Sequence, residues 1–224
     1  MQTGNRPAKQ SAWLGLITIL GTAYWFLSVV LLHFLPTDYD PLEHQISNYA
    51  TGSYGYLMSA AFIVWGIGIV ALASGFWVSV IPRPRVGSAL VLIAGVALII
   101  AGVFTGDVIT KETPFSTTTS GAIHDLASIV FFLFLIVAMF VMARRFRGDE
   151  RWRQVRRPSF WLGVASAVSL IAFVFGPIPL SVDGLGQRIF IFWLLAWVVL
   201  AGIRLWLIAR DSTGPQVRAN PASP

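Results

Sequence analysis

The sequence predicts an all-α fold, a polytopic membrane protein built as a bundle of six transmembrane helices in three antiparallel hairpins. Three observations predict it. Of 224 residues, 56% are hydrophobic and only 12% charged, with a mean hydropathy of +0.72, far from the average of soluble chains. Charge-free stretches long enough to cross about 30 Å of hydrocarbon, at about 1.5 Å of rise per residue, recur along the chain. The basic residues cluster in alternate connections, as they do where short loops face the cytoplasm.

Six spans follow, from Ala12 to Phe34, Tyr54 to Val80, Val86 to Gly106, Ala122 to Ala143, Ser159 to Ile178 and Arg188 to Ala209. Their apolar runs are continuous and lack the alternation of barrel strands, so the backbone must satisfy itself as helices. Arg6 and Lys9 precede the first span, Arg83 and Arg85 join the second to the third, and "RRFRGDERWRQVRRP" joins the fourth to the fifth. These segments, and hence both termini, are assigned to the cytoplasm. Of the 16 basic residues only Lys111 and Arg188 fall on the other side, with Asp38, Asp40, Glu43, Asp107, Glu112, Asp125 and Asp183.

Residues 1–11 form a cytoplasmic N-terminal segment, 12–209 the transmembrane domain, and 210–224, "RDSTGPQVRANPASP", a disordered cytoplasmic tail. The first apolar run exceeds a signal peptide's usual 7 to 15 residues and is expected to remain as a helix. No cysteine is present, which excludes disulfides, thiolate metal sites and cysteine nucleophiles. The surplus of +6 resides in short loops beside spans, without a basic groove interleaved with aromatics, so nucleic acid is not expected as a partner. The seven arginines from Arg144 to Arg157 set topology and could also hold anionic lipid headgroups. A weak repeat relates the third and fifth helices, and Gly95, Gly102 and Gly106 lie on one side of the third, the last two as a GxxxG pair. Trp13, Trp77, Trp152, Trp161 and Trp206 fit an inner aromatic belt.

The external ends carry the candidate chemistry. In "SGAIHDLASIV" the pair His124 and Asp125 opens the fourth helix, where a carboxylate is favoured by the helix dipole. All three histidines, His33, His44 and His124, fall on this side, and Ser120, His124 and Ser128 share one face at i, i+4 spacing. An embedded arginine demands a partner, so Arg188 is expected to face inward and meet Asp107 or Asp125. The segment from Leu35 to Met58 carries three acids, four tyrosines and His44; "ISNYA" within it reads as a short interfacial helix over the bundle mouth, and the tyrosines equally fit a headgroup-level belt.

Taken in order, "HQISNYATGSYGYLMSAAF", "AGVFTGD", "GAIHDLAS" and "GLGQRIFIFWLLAW" resemble the successive motifs of a prokaryotic membrane family catalogued as domain of unknown function 998, over residues 12 to 208. The resemblance implies a six-helix integral membrane protein and a site at Ser47, Asp107, His124, Asp125, Gln187 and Arg188, with no reaction attached. The layout is also similar to that of Frag1/DRAM-type proteins linked to lipid handling.

Three functions are compatible with these residues. The first is an outer-face polar pocket of Asp107, His124, Asp125, Arg188, Ser47, Gln187 and His44 that binds a lipid headgroup, a small polar ligand or a membrane protein partner. The second is an outer-leaflet hydrolase or transferase with His124 as general base oriented by a carboxylate, Ser47 or a water as nucleophile and Arg188 stabilising a phosphate or oxyanion, Asp125 being a further catalytic candidate. The third is a proton- or ion-coupled transporter, although the spans are charge-free at their centres. No cofactor is expected, and the histidines with Asp107 show no recognisable metal-ligand spacing. The setting is the inner membrane of a cell, and membrane lipids are the expected partners.

Overall fold

The computed structural model describes residues 5–108, 116–176 and 182–211. Six helices long and apolar enough to cross a membrane account for most of them, and no strand occurs among the described residues. They are α1 (Asn5–Phe34), α2 (Gly55–Ser79), α3 (Arg85–Val103), α4 (Thr119–Phe146), α5 (Arg156–Phe175) and α6 (Asp183–Asp211), with a 3-10 turn at Ile46–Ala50 between α1 and α2. The tail beyond residue 211, Lys111 with Glu112, and the expected end of the fifth span at Ile178 lie outside the described residues.

Local chemistry sets the ends. Pro82 and Pro84 separate α2 from α3, since proline cannot continue the α2 ladder. Thr118 caps α4, its hydroxyl accepting from the Gly121 N–H at 2.9 Å. Asp183 lies in the first turn of α6 and Arg210 in its last, each where the helix dipole favours its sign.

Each helix packs on its neighbours in the chain and α6 returns to α1, so the three expected hairpins close into one ring. The core is aromatic: Trp25, Trp65, Trp197, Phe76, Phe131 and Phe190 are buried, while Leu27, Leu133, Trp161 and Phe175 face outward. Lipid tails are as apolar as leucine, so close backbone approach must hold such a ring. Gly66 and Gly95 supply it between α2 and α3: a Cβ on Gly66 would lie 2.8 Å from the Gly95 carbonyl oxygen. Gly15 of α1 lies equally close to the Gly202 carbonyl of α6. The Thr18 hydroxyl reinforces α1 against α2 by donating to the Gly68 carbonyl at 3.0 Å.

Two expectations need correction. Gly106 is not on a helix, because α3 ends at Val103 and the chain turns so that Gly106 lies under the His124 ring; Gly102 packs on α2 without it. Trp152 is no belt residue. It is fully buried and stacks on Phe146 at 4.8 Å, inside a cluster with Phe76.

The arginine-rich end is stitched across its loops. Asp149 accepts from the Ile81 N–H at 2.8 Å and pairs with Arg151 at 3.0 Å, and Arg204 donates to the Arg151 carbonyl. Burial alone would raise the Asp149 pKa, but these donors hold it below its ordinary value. α5 stands apart. Among the described residues its main contacts are with α4, α6 and the turn before it, and its buried residues are Ser159, Gly163 and Ser166.

Candidate functional site

The mouth, at the end of the bundle opposite the termini, begins with a helix that needs partners. The first N–H groups of any α-helix have no acceptor within it. In α6 they meet the strap of residues 35–54: the Gly184 N–H donates to the Glu43 carbonyl and the Leu185 N–H to the Leu42 carbonyl. The fit demands glycine, since a Cβ on Gly184 would lie 2.3 Å from the His44 carbonyl oxygen.

Side chains complete the joint. The Ile46 N–H donates to Gln187 Oε1 at 2.6 Å, and Gln45 Nε2 donates to Asp183 at 2.8 Å. The strap is folded on itself as well. His44 Nδ1 accepts from the Asp40 N–H at 3.1 Å, so the proton of its neutral ring is on Nε2. Tyr39 and Thr51 share a hydrogen bond at 2.6 Å. Tyr49, 1% exposed, is a core residue of the mouth, whereas Tyr56 is exposed as a belt residue would be. Burial pushes the Tyr49 phenol above its ordinary pKa, against the opposing pull of Arg188.

Arg188 pairs with neither Asp107 nor Asp125. Its guanidinium donates to the His44 carbonyl at 2.9 Å and the Gly184 carbonyl at 2.8 Å, reaches His33 Nε2 at 3.2 Å, and lies 5.9 Å from the Tyr49 ring centroid. An arginine only donates, so His33 accepts at Nε2 and keeps its proton on Nδ1. Carbonyl dipoles and a ring face thus replace the expected carboxylate.

Asp107 and Asp125 serve the α3–α4 connection. Asp107 Oδ2 accepts from the N–H groups of Thr117 at 2.7 Å and Thr118 at 2.8 Å, and Oδ1 from the Thr118 hydroxyl at 2.7 Å. The Thr118 N–H leads these donors in drawing the Asp107 pKa below its ordinary value. Asp125 accepts from the Ser116 hydroxyl at 2.5 Å.

His124 is 4% exposed. Its Nδ1 lies 2.8 Å from the Ala101 carbonyl and 2.9 Å from that of Phe104. Both groups only accept, so Nδ1 carries the proton, and the ring satisfies two orphan carbonyls at the end of α3. Among the described residues two backbone carbonyls, and not a carboxylate, hold the His124 ring. Nor do the three histidines converge with Asp107; no group of metal-ligating side chains forms among the described residues.

Beneath the strap is a cavity of about 450 Å³. His124, Asp125, Ser47 and Gln187 line it, whereas Asp107, Arg188 and His44 do not. Gln45 and Ser128 add polar atoms, and Trp25, Trp65, Phe62 and Phe131 form much of the apolar wall. Trp25 and Trp65 are 2% and 1% exposed, their rings 4.7 Å apart, and each indole N–H lacks a hydrogen-bond partner among the described residues. Sequence reasoning missed these two tryptophans and Gln45. The indoles sit mid-span in ordinary apolar runs, and only the closure of the ring brings them to the polar mouth.

No curated protein and no solved structure matches the chain significantly. The model of one family, described as a protein of unknown function, DUF998, matches residues 19–204. A six-helix bundle with this mouth, matched over most of its length, belongs to that family.

Proposed function

We propose that the protein binds a neutral amphiphile in the mouth cavity: a molecule with an apolar body and one or two acceptor oxygens, taken from the outer leaflet. The observation that supports this most is that two of the four buried indole N–H groups without a partner among the described residues, those of Trp25 and Trp65 rather than Trp152 and Trp197, belong to the cavity wall. A buried donor without an acceptor costs about 1–3 kcal/mol, and an oxygen placed between two such donors recovers that loss. The rest of the lining agrees. It is mostly aromatic and aliphatic, with hydroxyls, amides, the His124 imidazole and one carboxylate, Asp125, but no arginine or lysine. A phosphate headgroup would meet no cation there, which favours a hydroxyl, carbonyl or ester over a phosphodiester. With the basic loops in the cytoplasm, the mouth faces outward.

The test is lipid analysis by mass spectrometry of the purified protein, wild type against a Trp25→Phe/Trp65→Phe variant. The variant keeps the aromatic wall and removes both donors. An amphiphile recovered with wild type and reduced about thirtyfold in the variant, as expected for two lost hydrogen bonds of roughly 1 kcal/mol each, supports the reading. Equal recovery from both proteins, or no bound amphiphile and no thermal shift with neutral lipids, would refute it.

A further inference from the structure

The opposite end of the bundle carries a cleft of about 770 Å³ between the end of α4 and the start of α5. Arg144, Arg145 and Arg147 line it from one side and Arg156 with Arg157 from the other, with Phe160 and Trp161 below. No acid lines it. The two acids of this connection are already engaged, Asp149 with Arg151 and Glu150 with Arg153 at 2.6 Å. Arg145 donates to the Pro82 carbonyl. The guanidinium groups of Arg144, Arg147, Arg156 and Arg157 have neither hydrogen bond nor ion pair to the protein among the described residues.

Topology alone accounts for arginines beside a span but not for their convergence from two helices on one cavity. The start of α5 sharpens the point. Arg156 and Arg157 occupy its first turn, where the dipole disfavours cations, and Val155 in the cap position offers no side-chain hydrogen bond. An anion in the cleft would offset the like charges and the dipole together. Guanidinium forks match phosphate oxygens, while Phe160 and Trp161, 45% and 65% exposed, continue the cleft into the apolar, lipid-facing surface.

We propose that this cleft seats the phosphate of an anionic phospholipid from the leaflet on the side of the termini, with the acyl chains along Phe160 and Trp161. Unlike the mouth cavity, it selects for negative charge.

Native mass spectrometry of the full chain released from micelles containing equal phosphatidylglycerol and phosphatidylcholine tests the site. Wild type is expected to retain phosphatidylglycerol preferentially. Each of Arg156→Gln and Arg157→Gln should lower that retention roughly fivefold, and Arg153→Gln, outside the cleft, should leave it unchanged. Inorganic phosphate at millimolar concentration should not displace the lipid, because it lacks the chains. Equal retention of the two lipids by wild type, or equal loss in Arg153→Gln and the cleft variants, would overturn the proposal. So would displacement by phosphate alone. Retained thermal midpoints establish that the variants are folded; if one is not, the Arg144→Gln variant takes its place under the same criteria.

Discussion

At His124 a single ring nitrogen decides the role of the side chain. Nδ1 is committed to two carbonyls at the end of α3, so the ring is first a cap for that helix and only through its other edge a cavity wall. Asp107 does the corresponding work at the start of α4, and its effect titrates. Its folded pKa is depressed, so its contribution is complete above the ordinary carboxylate range and fades as pH falls through the lower folded value. The thermal midpoint in detergent should therefore fall on acidification below about pH 4. Asp107→Asn should be less stable than wild type at neutral pH and should show a smaller acid-induced decline. Equal acid sensitivity in both proteins would show that other carboxylates govern it. Of the residues the motifs single out, His124, Asp125, Ser47 and Gln187 line one cavity, while Asp107, Arg188 and His44 lie outside it. Adjacent residues on a helix point about 100° apart, so the HD pair cannot share a partner, and His124 turns to α3 while Asp125 takes Ser116. Arg188 was misread because the demand of a buried charge for compensation does not specify a carboxylate.

Among the elements, the joint between the strap and α6 is the most exacting. Gly184 admits the strap carbonyls against the first turn of α6. Gly184→Ala should destabilise the protein by about 1–3 kcal/mol through overpacking, read as a lower thermal midpoint, and should also weaken retention of the mouth ligand. A variant with wild-type midpoint and ligand content would show that the strap can shift without consequence. Element positions were legible because apolar runs of membrane length admit only helices, and the observed ends differ from expectation by at most seven residues, at the start of α1. α6 starts at Asp183 rather than Arg188 because the strap satisfies its first turn, which no local signal announces. The burial of Trp152 was equally hidden: its place in a basic loop resembles a belt position, and only the fold of residues 149–155 carries it between Phe76 of α2 and Phe146 of α4.

For the whole molecule, the ring is tight on one side and loose on the other. α1, α2, α3 and α6 are fastened by glycine contacts, whereas α5 buries only small residues. Amide exchange in lipid nanodiscs should be faster in the last two turns of α5, residues 168–175, than in the middle of α2, since openings are cheapest where little is packed. Equal protection would mean that the ring opens as one unit. The strap also carries a consequence for biogenesis. Ile46 and His44 find their α6 partners 141 and 144 residues later in the chain, so a nascent chain inserts five spans while the strap still lacks its dock. The mouth is then the last part of the protein to be finished, and a polypeptide halted before residue 188 would display an unmoored strap to the quality-control machinery of its membrane.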